Sequence, residues 1–396
     1  MFNNISKAPD DPILSLMAEF NKDPCPKKIS LSVGLYFDGH NHIPQLECVK
    51  QALSHYSPKP AAYLPIDGSP KYCQAVQDLL FGKDNIHISH NKIVTVQTVG
   101  GSGALSLGAN FLKTILPKSD VWLSNPSWEN YQAIFEGVGF STKNYPYYCV
   151  ENHGLSFEEM CSSFMNLKPE SIVVLQACGH NPTGVDLSID QWEKIISIVK
   201  DRNLIPFIDC AYLGLVQNFE QDSLPIQKLA QAEIDFLVTN SFSKSMSLYN
   251  KRVGSLSVVS QNPNFNEAIL SQLKALIRRN YSNPPADGAD IVSTILTNSN
   301  LTNIWKKELS TMRERIISIR NILHDELKEL KPHNDWRYLK TQEGMFSYTG
   351  LSEKQVAFLK EKYSIYMLSS GRISVTGLNE KNISYFAEKF ANCETD

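Results

Sequence analysis

The stretch Ser171-Ile-Val-Val-Leu-Gln176-Ala-Cys-Gly-His-Asn-Pro-Thr-Gly184 decides how the chain is built, together with Ile205-Pro-Phe-Ile-Asp209 beyond it. Its first residues form a short, β-branched apolar run, the pattern of a strand buried on both faces. Glycine, asparagine and proline then end the strand. Ser188 follows as a helix cap, and Trp192, Ile195, Ile196 and Val199 recur at helical spacing behind it. A second apolar run closes on Asp209. Strand, helix, strand in this order predicts a parallel pair with the helix packed across it.

The same alternation extends outward in both directions. Ile93-Val-Thr-Val-Gln97 reads as a strand that Gly100-Gly-Ser-Gly-Ala-Leu105 turns into a helix running towards Leu116. Val121-Trp-Leu-Ser124 is a strand, and Pro126-Ser-Trp128-Glu opens a helix. Phe236-Leu-Val-Thr-Asn240 and Val253-Gly-Ser-Leu-Ser-Val258 are further strands. The fold class is therefore α/β, a mainly parallel sheet covered on both faces. In such sheets the polar residues just past the strands' carboxyl ends line the ligand crevice.

The flanks read differently. Asp11 to Phe20 spaces its apolar residues as a short amphipathic helix, an arm that ends at Pro24 and Pro26. Leu31-Ser-Val-Gly-Leu-Tyr36 is a strand-like run in which Gly34 marks a close backbone approach. A long helix spans Asn303 to Leu330. Short strands near Gly344–Tyr348 and Gly371–Val375, with helices near 353–362 and 380–391, make a smaller α+β domain. The expected division is a large domain over 45–312 and a small one over 1–44 and 313–396.

Composition narrows the function. The 396 residues carry a formal net charge of −3, which argues against a nucleic-acid or membrane surface. The N-terminus lacks the pattern of a signal peptide, and no apolar run is long enough to span a bilayer. Eight scattered cysteines without Cys-x-x-Cys spacing read as free thiols of a reducing compartment, hence a soluble cytoplasmic protein. His40-Asn-His42 lacks further ligands and reads as a loop, so no metal site is expected.

The chemistry gathers at the strand ends. Lys244, in Asn240-Ser-Phe-Ser-Lys-Ser, offers an amine for Schiff-base formation with a carbonyl. Ser241, Ser243 and Arg252 supply hydroxyl and guanidinium donors suited to a phosphate dianion, as do the amides and hydroxyl of Gly100-Gly-Ser-Gly at a helix start. A Schiff-base lysine beside a phosphate clamp suggests pyridoxal 5′-phosphate. Asp209, buried at the end of an apolar strand, needs a cation or hydrogen-bond donors: a protonated pyridine nitrogen, or the next turn. Trp128 is either a plate for a flat ring or a core side chain. Asn181 and Tyr212 can hydrogen-bond a phenolic oxygen. Arg278 and Arg372 are each suited to two-point binding of a carboxylate.

Taken together these motifs resemble, along nearly the whole chain, the class I aminotransferases of pyridoxal-phosphate fold type I. The resemblance is to their aspartate and aromatic amino-acid subgroup. It is carried by Tyr63-Leu-Pro-Ile-Asp-Gly, Gln97-Thr-Val-Gly-Gly-Ser-Gly-Ala, Asn125-Pro-Ser-Trp-Glu-Asn, His180-Asn-Pro-Thr-Gly, Asp209-Cys-Ala-Tyr, Ser241-Phe-Ser-Lys, Arg278-Arg-Asn-Tyr-Ser-Asn-Pro-Pro, Gly344-Met-Phe-Ser-Tyr and Ser370-Gly-Arg. Details such as Leu31-Ser-Val-Gly-Leu-Tyr and Asn240-Ser-Phe-Ser-Lys look most like bacterial tyrosine aminotransferases. The resemblance implies a seven-stranded sheet and a ping-pong transfer, through pyridoxamine phosphate, of amino groups from tyrosine, phenylalanine or aspartate to 2-oxoglutarate. A strict aspartate aminotransferase is the alternative within that chemistry, and a non-catalytic ligand-binding module the alternative outside it.

The resemblance also assigns roles. Lys244 and Asp209 carry the catalysis, with Tyr63. Gly101, Ser102, Ser241, Ser243, Arg252 and Tyr63 bind the cofactor's phosphate, and Trp128, Asn181 and Tyr212 its ring. Gly34 and Arg372 take the substrate's α-carboxylate, with Trp128 and Asn181 beside it, and Arg278 a side-chain carboxylate. Tyr63 and Arg278 come from the partner subunit, so a homodimer with shared sites is implied. Four positions depart from the family pattern: Tyr131 and Gln176 stand where histidines are usual, and Gly179 and Leu213 replace bulkier or polar residues. From Tyr131 and Gln176 follows an expectation of weaker support for Asp209 and slower chemistry.

Overall fold

The computed structural model describes residues 2, 5–7, 10–54 and 62–393. Seven strands form the main sheet: β1 (Ile93–Val99), β2 (Asp120–Asn125), β3 (Ser141–Pro146), β4 (Ile172–Gln176), β5 (Ile205–Cys210), β6 (Phe236–Ser241) and β7 (Val253–Val259). Their order across the sheet is β1-β7-β6-β5-β4-β2-β3, and β7 alone runs against its neighbours. Six were readable from their own residues. The seventh, β3, is a polar edge strand that shows only one buried side chain, Tyr145. An edge strand covered on one side needs no apolar run, so its sequence resembles a loop.

Helices α1 (Gly100–Ile115) and α2 (Asn130–Gly137) pack on the sheet through Leu105, Leu107, Phe111 and Phe135, against Val96, Val121, Phe207, Leu237 and Leu256. Removing a side chain of the size of Phe207 from water is worth about 1.5–3 kcal/mol. Phe135 meets Phe207 edge to face at 5.6 Å. Helix α3 (Ile189–Asp201) begins at Ser188 with a capping box closed by Gln191, and buries the four apolar residues expected of it.

The chain divides into two compact units, Pro44–Glu314 and Met1–Ile43 with Arg315–Asp396. In the second unit Asp11 caps the helix Pro12–Lys22, Ile29–Ser30 pairs in parallel with Ile365–Tyr366, and Phe346–Tyr348 pairs antiparallel with Arg372–Ser374. The strand-like reading of residues 31–36 is corrected: only Ile29–Ser30 joins a ladder, and the segment beyond runs on without regular pairing past Phe346. Arg320 is the buried tie of this unit. Its guanidinium donates to the carbonyls of Leu339, Glu343, Gly344 and Phe346 and to the Ser347 hydroxyl, so a ring of dipoles surrounds the buried charge.

The backbone amides of His40 and His42 both donate to Asp38, so the His40–His42 loop is a local turn. No group of three metal-ligating side chains occurs among the described residues, and no described helix is long and apolar enough to cross a membrane. All eight cysteines are free.

Candidate active site

Gln176, Asp209 and Thr239 lie side by side where β4, β5 and β6 end or near their ends, in register across the sheet. Asp209 is 7% exposed. Both of its oxygens are held: the Thr239 hydroxyl donates to Oδ1 at 2.8 Å, and the Tyr131 hydroxyl, from the first turn of α2, donates to Oδ2 at 2.6 Å. Burial pushes the carboxyl above its ordinary range, against the pull of these two bonds and of the Lys244 charge. Burial, and then the charge of Asp209, push the Tyr131 phenol well above its usual value. Tyr131 is therefore a fixed donor.

Lys244 follows the end of β6, and its Nζ stands 5.3 Å from the centre of the Tyr212 ring. Tyr212 comes close because Gly179 has no side chain. A Cβ there would stand 3.1 Å from the Tyr212 Cβ, and Gly179 has a φ of +65°. The Gln176 amide grips the backbone of Asn181 from both sides, accepting from the Asn181 N–H at 2.8 Å and donating to its carbonyl at 2.9 Å. His180 beside it bonds Ser124 and Thr183 and stacks on Tyr147 at 3.9 Å. Burial lowers its value to about 3, so it is a neutral structural side chain. Trp128 is half-buried and meets Tyr131 edge to face at 5.2 Å.

A second cluster forms where α1 starts. A Cβ on Gly100 would fall 2.5 Å from Arg252 Nη2, and one on Gly101 would fall 3.1 Å from the Ser241 Cβ. Arg252 donates to the Tyr249 carbonyl at 3.0 Å and, at 3.5 Å, to the Ser243 hydroxyl, with no carboxylate among these partners. Ser102 is exposed on the first turn of α1, and no side chain caps that end. A helix N-terminus, two serine hydroxyls and an arginine unpaired with acid make a donor set for a phosphate dianion. Buried Asp209, with its value raised, is in turn suited to a cationic ring nitrogen. These residues fit pyridoxal 5′-phosphate.

In the other unit Arg372 is buried, with its guanidinium 4.7 Å above the Phe346 ring and donating to the Ser32 carbonyl. Gly34 lies against the same ring, where a Cβ would stand 3.0 Å from Phe346 Cζ.

The family model described as aminotransferase class I and II matches residues 26–390. The chain belongs to that family. It is 44% identical over 375 residues to a tyrosine aminotransferase of Klebsiella pneumoniae, covering 94% of both chains. It is 43% identical over 376 residues to an aspartate aminotransferase of Pseudomonas aeruginosa, again with 94% of each chain covered. Among solved structures, an aromatic-amino-acid aminotransferase from Burkholderia pseudomallei, covalently bound to pyridoxal phosphate, superposes with a TM-score of 0.96 at 43% identity, over 100% of both chains.

In this aminotransferase Asp209 keeps support on both oxygens despite the departures at Tyr131 and Gln176. Tyr131 supplies a short hydrogen bond, and Thr239, which the sequence reading passed over, supplies the other. A threonine inside the apolar run of β6 was the available signal. The sites anticipated for the ring and phosphate, Asp209, Lys244, Tyr212, Ser241, Ser243 and Arg252, fall in one unit with Gly101, Ser102, Trp128 and Asn181. Gly34 and Arg372 fall together in the other. Tyr63 and Arg278 are exposed, Tyr63 at 92%, and Tyr63 borders an open cleft of about 470 Å³ with Val99, Tyr281, Ser282 and Asn283. Arg278 donates to Ser282 at its rim.

Proposed function

We propose that this aminotransferase transfers the amino group of tyrosine, phenylalanine or aspartate to 2-oxoglutarate, in two alternating half-reactions that use pyridoxal 5′-phosphate. The observation that carries the reading is the join of Asp209, held on both oxygens, to a lysine on the neighbouring strand end. When bound, the cofactor's protonated ring draws electrons from the substrate's α-carbon.

The chain's residues have separate tasks. Asp209 keeps the ring nitrogen protonated by offering a buried carboxylate to it. Lys244 Nζ holds the cofactor's carbonyl carbon and moves the proton at the substrate's α-carbon. Arg252, Ser241, Ser243, Ser102 and the Gly101 amide hold the phosphate. Trp128 covers one face of the ring, while Asn181 and Tyr212 bond its oxygen. Arg372 takes the substrate's α-carboxylate with the Gly34 backbone.

Tyr63 and Arg278 are exposed, which supports their service in the site of a second copy. Tyr63 then reaches the phosphate, and Arg278 takes the side-chain carboxylate of aspartate or of the acceptor. The enzyme is accordingly a homodimer, and its eight free thiols suit the cytoplasm.

The test is a half-reaction. Each of tyrosine, phenylalanine, aspartate and glutamate is added alone to the cofactor-loaded protein, and the visible absorbance band is followed. Rapid loss of the band with tyrosine and with aspartate is expected. Loss with aspartate and glutamate only would make the protein a strict aspartate aminotransferase. A band that no amino acid changes would leave a binding module.

A further inference from the structure

We propose that Tyr131 is a positioning residue for the reaction: its hydroxyl, donating to Asp209 Oδ2, sets how strongly Asp209 holds the proton it shares with the cofactor's ring nitrogen. The inference rests on the proposed function for its catalytic consequence and on the chain alone for its electrostatic one.

The geometry gives Tyr131 two contacts that a core tyrosine would not need. Its hydroxyl reaches Oδ2 at 2.6 Å, and its ring lies edge to face against Trp128 at 5.2 Å. One side chain thus touches both the carboxylate and the ring-stacking tryptophan. The two Asp209 oxygens are served by donors of different kinds, Thr239 from the adjacent strand and Tyr131 from α2. The titratable groups around the pair are Lys244, whose charge acts on Asp209, and the Tyr212 and Tyr145 phenols that act on Tyr131. Gln176, the in-register neighbour on β4, carries no charge and is occupied with Asn181. A phenol that remains protonated contributes a donor at every working pH, whereas an imidazole at the same place would titrate near neutrality.

The sign follows from linkage. A carboxyl whose folded value lies above its unfolded one favours the folded chain below the unfolded value, and this advantage is lost as pH rises through the folded value. Removing the Tyr131 donor raises Asp209 further. Apo Tyr131→Phe protein should therefore lose more stability than the wild type as pH climbs above the ordinary carboxylate range. In the loaded enzyme the proton shifts towards Asp209, less positive charge stays on the ring, and electron withdrawal weakens.

The experiment compares wild type, Tyr131→Phe and Tyr131→His. Denaturant unfolding of the cofactor-free proteins between pH 4 and 8 is expected to show a steeper loss of stability with pH for Tyr131→Phe. In the loaded protein the midpoint for pH titration of the visible band should move upward, and kcat should fall about tenfold with KM little changed, the loss of one hydrogen bond to a charged group. Tyr131→His should regain much of kcat and add an ionisation near neutrality that wild type lacks. Tyr131→Phe matching wild type in slope, midpoint and kcat would overturn the proposal. Should Tyr131→Phe not fold, Tyr131→His without a new ionisation overturns it equally. A wild type that binds no cofactor would instead sink the proposed function, while the apo slopes would still test the link between Tyr131 and Asp209.

Discussion

The strand-end cluster around Asp209 and the Tyr63–Arg278 surface belong to the same compact unit and are built on opposite principles. At the cluster the groups are buried or half-buried and cross-linked: Asp209 by two donors, Asn181 by both ends of the Gln176 amide, Arg252 by Tyr249 and Ser243. At the surface Tyr63 is almost fully exposed, and Arg278, exposed as well, is tied to a serine four residues on. The difference teaches how the work is divided. On the proposed reading the groups that hold the cofactor's ring are fixed by the chain that owns them, since any slack would weaken charge stabilisation. Arg278, proposed to select the side-chain carboxylate, is left at the surface, where a second copy could make use of it.

The sharpest way to break this comparison is Lys244→Ala. Without the amine, turnover should fall by about 10⁴-fold or more, while folding is kept, as steady-state rates and unfolding curves would show. A modest loss would move the catalytic base elsewhere. Next in size is Arg278→Leu, which should lower kcat/KM for aspartate by about a hundredfold and leave the tyrosine half-reaction nearly intact. Equal losses for both substrates would make Arg278 a structural residue.

Arg252→Met should weaken cofactor binding about ten- to a hundredfold, read as the dissociation constant of pyridoxal 5′-phosphate from the apo protein, with a smaller effect on kcat. The smallest effect is expected at Gly179→Ala. A Cβ in the left-handed region costs about 1–2 kcal/mol, and it would press on Tyr212, so Tm should drop by a few degrees. An unchanged Tm would mean that the turn relaxes and that the closeness of Tyr212 does not depend on glycine.

Much of this was legible in the sequence, because buried charge and apolar runs leave marks. Asp209 stands at the end of an apolar strand, and Lys244 and Arg252 follow another, so their burial and neighbourhood could be anticipated from the alternation of strands and helices. The residue pattern could not show the hydrogen bond from Tyr131, and the resemblance alone placed Tyr131 near Asp209. The bond joins residues on different elements that are far apart in sequence, and a tyrosine in a helix looks like core whether or not its hydroxyl has a partner. Thr239 was hidden for a similar reason, since its hydroxyl matters only through its register with Asp209. Strand β3 escaped because an edge strand can be polar. Residues 31–36 misled in the other direction: the apolar spacing is that of a strand, and the segment instead passes Phe346 at Gly34 without a ladder.

On the proposed reading each chain supplies its own lysine and aspartate to the cofactor and takes Arg278, its substrate selector, from the other. The most direct test co-expresses Lys244→Ala with Arg278→Leu and assays aspartate turnover in the mixed dimers. Lys244→Ala chains lack the amine but carry Arg278, and Arg278→Leu chains carry the amine. If the arginine serves the other subunit's site, the mixture recovers aspartate activity that neither parent has. Mixed dimers no more active on aspartate than the average of the two parents would contradict the account and put Arg278 to work within its own chain.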